Sequence, residues 1–452
     1  MRRMCRRVSK IGLAAMAFVW AGPSLAQPLT ADRAVEIALQ HSTQAINAEA
    51  GVLDARGGLY SGYSGIIPRF TAGFTRSGSS LKNRSGSEVF GGVTTPSKTF
   101  DFEEYSSTPA ISGTWSVLNL SAITGFRSAQ SGLQAAKLQK SATRQDVAFT
   151  TRQQFYEVVR SIQLARVASE ALRLARDDER RVNALFEVGS VSKSDVLKAQ
   201  VRTSQSQLDS LTAGHAVTVQ RVTLARLMGV MEPEVGEVDT VLTAEPRAYD
   251  EPAILADAER HRPDLLAAEA EVKSARSAVS SARYRRLPYV TLSGSAQFNP
   301  SSSSKTTDPG PPATTSVART EADRSLSGRL SINWDFFDGL STDAANAAAH
   351  ARAMRAVETR DALRRNLASE VHEALLTYRE VVVGEEVASR AVDSATENMK
   401  LTQQKYNVGS ATILELIDAQ VQLQRAQSDH VGALAAIRVA EARINRVRGQ
   451  GE

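Results

Sequence analysis

Glu415 and Asp418 stand three residues apart in a run of helix-forming residues, so their carboxylates share one helix face. Carboxylates grouped this way attract cations and repel anions. The bland alternative is the solvated side of a helix, which is what charged faces usually are. The chain repeats itself at a shift of 220, and the matching positions in the first half are Asp195 and Lys198, where the second charge is reversed. Other chemistry-bearing residues do not group. The histidines are His41, His215, His261, His350, His372 and His430, and none has the close His or Cys spacing of a metal site. The single cysteine is Cys5. Dinucleotide and phosphate-loop glycine motifs are absent, and no spacing singles out a nucleophile. The residues therefore describe a protein that is not an enzyme and takes no cofactor or metal.

The elements that must carry the acidic pair come twice. At that shift, His41 falls on His261, Ala48-Glu49-Ala50 on Ala268-Glu269-Ala270, Pro68 on Pro288, Val188-Gly189-Ser190 on Val408-Gly409-Ser410, and Gly229 on Gly449. Trp115 falls on Trp334 at a shift of 219, so small insertions and deletions cancel along the way. A unit this long is no solenoid repeat, which runs ~20 to 50 residues. The organisation read from it is a signal at 1–26, a first repeat at 27–230, a linker at 231–252 and a second repeat at 253–452. In each repeat a strand hairpin (about 68–118 and about 288–337) precedes a helical hairpin (about 121–229 and about 341–449).

The helical stretches lack proline between Pro109 and Pro233 and again after Pro312, and they are filled with Ala, Leu, Gln, Arg and Glu. The pattern predicts helices over about 121–186 and 341–406, each roughly 100 Å long at ~1.5 Å per residue. Shorter helices return over about 192–227 and 412–447, after breaks at Gly189 and Gly409 that suit helix C-caps. In the last helix Leu416, Leu423, Ile437 and Ile444 keep a seven-residue step, interrupted at His430, which favours coiled-coil packing.

The N-terminus has Arg2, Arg3, Arg6, Arg7 and Lys10, then an apolar stretch and Ser24-Leu25-Ala26. This reads as a secretory signal cut after Ala26. Its removal takes away the only cysteine and five basic residues, leaving 49 basic and 49 acidic residues. A neutral balance gives no support for nucleic-acid binding.

Shorter segments alternate with period two. Val290, Leu292, Ala296 and Phe298 face one way and Thr291, Ser293, Ser295 and Gln297 the other. Leu330, Ile332, Trp334 and Phe336 repeat the pattern, as do Phe70, Ala72 and Phe74, then Ile111, Trp115 and Val117. Such alternation predicts strands. The two clearest, at Tyr289 to Phe298 and Ser327 to Phe336, match the ~9 to 11 residues of a tilted membrane strand. Polar segments at about 77–107 and 299–324 read as the hairpin loops. Four strands cannot close a barrel, and open edges in lipid leave backbone groups unpaired. Three chains would supply twelve strands, a workable barrel. The fold class expected is thus mainly α with a transmembrane β-barrel built by a trimer. The rival on pattern alone is a soluble sheet packed on the helices.

Two segments carry a family resemblance: Phe186-Glu187-Val188-Gly189-Ser190 with Ser194-Asp195-Val196-Leu197, and Tyr406-Asn407-Val408-Gly409-Ser410 with Glu415-Leu416-Ile417-Asp418-Ala419-Gln420. With the duplication and the strand hairpins, the chain resembles TolC-type outer membrane efflux proteins over essentially its whole mature length. The resemblance implies a homotrimer with a twelve-stranded barrel in the outer membrane and a helical tunnel extending into the periplasm. The tunnel opens when a periplasmic adaptor and an inner-membrane transporter dock, in drug efflux or type I secretion. It also implies that rings of Glu415 and Asp418 form the tightest constriction. Asp195 and Tyr406 match positions that link neighbouring hairpins in the closed state. Gly189, Ser190, Gly409 and Ser410 mark the tips that face the adaptor. An arginine that some members carry two residues after the glycine is Ala411 here, one clamp fewer. Two other classes share long hairpins. A periplasmic adaptor would show one hairpin flanked by soluble β domains. A structural filament would not need strands of membrane length.

Overall fold

The computed structural model describes residues 28–86, 89–90, 92–94, 98–243, 246–308 and 315–450. The expected signal at 1–26 lies outside them. The elements run α1 (Ala31–His41), α2 (Thr43–Ser64), β1 (Arg69–Gly86), β2 (Val89–Phe90), β3 (Val93–Thr94), β4 (Lys98–Leu118), α3 (Leu120–Glu187) and α4 (Lys193–Met228). A 3-10 turn (Glu232–Val235) leads to α5 (Glu251–His261), α6 (Pro263–Tyr284), β5 (Tyr289–Asp308), β6 (Thr315–Asn333), α7 (Ser341–Asn407) and α8 (Ile413–Val447). None of the described helices is long and apolar enough to cross a membrane.

The helical hairpins stand where composition and the glycine breaks put them. α3 has 68 residues and α7 has 67. The Asn119 side chain accepts from the Ala122 amide at 2.9 Å to start α3. α1, α2, α5 and α6 are not among the elements expected from the sequence, although their start signals are ordinary. Ser42 caps α2 through the Ala45 amide, and Pro252 and Pro263 occupy the first turns of α5 and α6.

The sheet is antiparallel in the order β1-β4-β5-β6, so β1 and β6 are its two edges. β2 and β3 pair separately. Its strands have 18, 21, 20 and 19 residues. This corrects the expected loops: pairing continues through most of 77–107 and 299–324, reaching Gly86↔Lys98 after a register shift between Leu81 and Arg84, and Thr307↔Thr315 without one. The apolar alternation covers only part of each strand. Beyond it, Ser and Thr keep the ladder without an alternating signal, because Thr favours strands and Ser hydroxyls pair across them. The second repeat's strand also ends at Asn333, so Trp334 and Phe336 lie just past it.

Register sorts the faces. Thr71, Ser112, Ser295 and Ser327 form one row across all four strands. Thr71 and Ser112 hydroxyls are 2.7 Å apart, and those of Ser295 and Ser327 2.8 Å. The opposite face carries Phe70, Phe74, Ile111, Leu292, Leu326 and Leu330, all exposed. In its glycine row, Gly113, Gly294 and Gly328, the Phe70 ring lies where a Cβ on Gly113 would come within 2.9 Å.

The chain forms two compact units, each drawing on both repeats. Of the described residues, one comprises 28–38, 150–243 and 383–439 and holds both hairpin tips. In it, Leu29 bridges Val238, and Arg152 meets Asp32 at 3.1 Å. The other comprises residues 39–149, 246–382 and 440–452 and holds the sheet. There α3 and α6 approach closely: Ser121 and Ser281 donate to each other's carbonyls at 2.9 Å, and Ser128 and Ser274 do so at 2.9 and 3.0 Å. Arg262 grips Asp264 through two bonds (3.0 and 2.6 Å) and also Glu370. The repeat is visible in detail. Trp115 donates to the Ile66 carbonyl at 2.8 Å, and Trp334 donates at 3.1 Å to the carbonyl of Arg286, the repeat equivalent of Ile66.

Candidate channel constriction at the hairpin tips

Each tip is built the same way. Gly189 and Gly409 both take φ 77°, a left-handed conformation that costs a residue with a Cβ about 1–2 kcal/mol. Ser190 N donates to the Leu185 carbonyl at 2.8 Å and Ser410 N to the Lys405 carbonyl at 2.9 Å, closing both helix ends. The next helix then starts on a capping box. Ser192 and Asp195 form it in α4. In α8 the Glu415 amide donates to the Thr412 hydroxyl at 3.3 Å, and Thr412 donates back to Glu415 Oε1 at 3.0 Å.

The two tips share one core. Val182, Val196, Ala199, Ile413 and Leu416 are buried together, with Val191, Tyr406 and Ile417 against them. Because Leu416, Ala419 and Gln420 point inward, Glu415 and Asp418 are left exposed on one face. Asp418 accepts from Gln422 Nε2 at 2.7 Å, one turn further on. The first repeat differs chemically. Asp195 is bonded to Ser192 and to Lys198 at 3.2 Å, and the Ser192 hydroxyl foremost holds its carboxyl below the usual range. Its charge is compensated locally, while the Glu415–Asp418 face keeps two acids.

The structure places Asp195 and Tyr406 in the same tip region but does not join them within one chain. The Tyr406 hydroxyl is buried without a hydrogen-bond partner among the described residues. Burial, with Asp178 second, pushes that phenol up. Asp178 is the tip residue that sequence reasoning missed. It is buried, accepts from Gln420 Nε2 at 2.5 Å, and lies 3.5 Å from Arg181. Burial raises its carboxyl despite those two partners. A signal was available: the repeat-equivalent residue is Asn398, the neutral isostere. Among the described residues, no group of three or more His, Cys, Asp or Glu could hold a metal ion.

Comparison with known proteins now has a geometry to meet. The family model for outer membrane efflux proteins matches residues 254–450, the second repeat with its acidic tip. Outer membrane protein TolC of Escherichia coli (strain K12) is 23% identical over 313 residues, 65% of this chain and 61% of that protein. Nodulation protein T of Rhizobium leguminosarum bv. trifolii is 24% identical over 292 residues, 62% of this chain and 58% of that protein. The chain spans about three fifths of the length of these curated relatives. Among solved structures, VceC from Vibrio cholerae superposes with a TM-score of 0.73 at 18% identity, covering 93% of this chain and 96% of that one. The Campylobacter jejuni CmeC outer membrane channel gives 0.74 at 16% identity, covering 93% and 86%. The fold is therefore shared end to end with outer membrane channels. The second repeat thus matches the outer membrane efflux protein family, and the chain as a whole has the fold of outer membrane channels.

Proposed function

We propose that three copies of this chain form the outer membrane exit duct of a tripartite efflux or type I secretion system, opened at the hairpin tips by a periplasmic adaptor and an inner-membrane transporter. The observation that carries this reading is the sheet. Its apolar face is bare, with Phe70 76% and Leu326 87% exposed, and its opposite face is a hydroxyl ladder. In water, each such side chain forgoes about 1.5–3 kcal/mol of burial, so the face belongs against lipid. The edges β1 and β6 carry unpaired backbone groups, each costing several kcal/mol in a bilayer. Twelve strands from three copies remove both edges and turn the hydroxyl rows inward as a wet lumen.

In this reading, Glu415 and Asp418 stack as two acidic rings where the tips converge, and Asp195 and Tyr406 link hairpins across the closed gate. The Tyr406 hydroxyl is buried without a partner in the single chain, so the gate bond requires its ring to turn out of the tip core. Gly189, Ser190, Gly409 and Ser410 present the surface offered to the adaptor.

The test is single-channel conductance in a planar bilayer. Glu415 also holds the α8 cap, so the informative variant is Glu415→Gln with Asp418→Asn, which keeps the capping geometry and removes the charge. Small cation-selective steps are expected from the wild type, and weakly selective ones from the variant. Equal selectivity in both would remove the acidic rings from the reading. No conductance from either would remove the duct itself.

A further inference from the structure

The duplication offers an internal control for every site, and a place away from the hairpin tips also fails it. In the first repeat, where α2 meets the start of α3, Tyr63 stacks on Phe126 with ring centroids 4.5 Å apart, and Ile66 and Ile123 flank them. The equivalent positions in the second repeat are Arg283, Asn346, Arg286 and Asp343. A solid aromatic contact has become a cleft of about 620 Å³ between α6 and α7, lined by these four residues with Tyr284 and His350. Arg286 pairs with Asp343. Arg283 has no ion-pair partner among the described residues, and Asn346 Oδ1 is buried with no donor. The cleft's height is fixed by the Trp334 ring, which donates to the Arg286 carbonyl at the rim of the sheet. Phe336 and Phe337 are exposed beside it in sequence. Tryptophans and phenylalanines at a sheet rim mark the headgroup level of a bilayer.

We propose that this cleft binds the headgroup of a phospholipid from the inner face of the membrane, resting on the reading of the sheet as a lipid-embedded wall. The Arg283 guanidinium takes the phosphate in a forked, charge-assisted contact. Asn346 lines the same cleft and leaves room for the headgroup where the first repeat has the Phe126 ring. A cationic site at the base of a barrel fixes its depth and rotation in the bilayer, a task that the apolar first repeat leaves to packing.

The experiment uses the full chain, first floated with phosphatidylethanolamine–phosphatidylglycerol vesicles and then stripped in detergent. Short-chain phosphatidylethanolamine and phosphatidylglycerol, diacylglycerol and inorganic phosphate are added in separate arms, and bound molecules are counted by native mass spectrometry. Three proteins are compared: the wild type, Arg283→Gln, and Arg283→Tyr with Asn346→Phe, which refills the cleft as in the first repeat. We expect the wild type to hold phospholipid about tenfold more tightly than Arg283→Gln, and the refilled variant to lose the bound lipid while floating normally. Equal lipid retention in all three proteins overturns the proposal and leaves the membrane reading intact. Inorganic phosphate binding as well as phospholipid also overturns it, making the cleft a free-phosphate site. Failure of the wild type to float overturns both.

Discussion

Asp178 shows how much a single side chain at the tip contributes. Its carboxylate is buried against Gln420, and burial lifts its folded pKa above the ordinary 3.8. Such a group stabilises the fold fully below its unfolded value and loses that contribution as pH rises through the folded one. Asp178→Asn keeps an acceptor for Gln420 and removes the charge. It should stabilise the tip at pH 7 by on the order of 1 kcal/mol and flatten the difference between pH 4 and pH 7. Hydrogen exchange of 175–200 and 405–420 at both pH values reads this out, and parallel pH profiles for wild type and variant would count against it. Asp195 runs the other way: its lowered carboxyl supports the tip above the ordinary carboxylate pKa and is lost in acid, so only the difference between the two proteins isolates Asp178. At this scale the sequence was half legible. The spacing of Glu415 and Asp418 placed both on one face, as the exposed positions show. Burial of Asp178 was hidden because it depends on α8 crossing α3, a contact between residues 242 apart in the chain.

At the scale of elements, glycine caps that look identical in sequence differ in what surrounds them. Gly409 and Gly449 have φ 77° and 76°, but a Cβ on Gly409 meets open space, whereas on Gly449 it would come within 2.8 Å of the His261 carbonyl. Gly409→Ala should therefore cost only the backbone penalty of about 1–2 kcal/mol. Gly449→Ala adds a clash with a backbone that cannot step aside, and should lower the melting temperature well beyond it. Equal melting temperatures for the two variants would contradict the close packing of α8 on the turn between α5 and α6. The long helices were legible within a residue or two because proline-free, glycine-poor composition is a local signal. The strands were legible only over their apolar stretch, since Ser and Thr on both faces leave no alternation to read. The residue that returns the shift from 219 at Trp334 to 220 beyond it also has a local seat. α3 begins directly after Asn119, while α7 is reached through Gly339 and Leu340, both left-handed at φ 65° and 70°. Leu340 adopts this conformation without the freedom of glycine, which marks the added residue as a forced turn.

For the whole molecule, the repeat predicts the interface that a single chain leaves open. Within the chain, Asp178 of α3 meets Gln420 of α8. The equivalent positions are Asn398 on α7 and Gln200 on α4, and both are exposed. Leu197, Val201, Leu208 and Leu211 also stand exposed along α4 at steps of four, seven and three, and Val383 and Val387 do so on α7. Steps of three, four and seven are the seam of a coiled coil waiting for a partner. If hairpins alternate around a closed ring, α7 of one copy packs on α4 of the next as α3 packs on α8 within a copy. Cys5 is the only native cysteine and lies in the expected signal, so thiols placed at the seam report without background. Gln200→Cys with Asn398→Cys, treated with a short-span bismaleimide, should give covalent species that stop at three chains on a denaturing gel. Asp178→Cys with Gln420→Cys should cross-link inside one chain and run as a monomer. A ladder beyond three would mean an open filament instead of a ring. The absence of cross-linking in the first pair, with the second reacting normally, would mean that the two repeats do not use their faces alike and that the barrel closes by another seam.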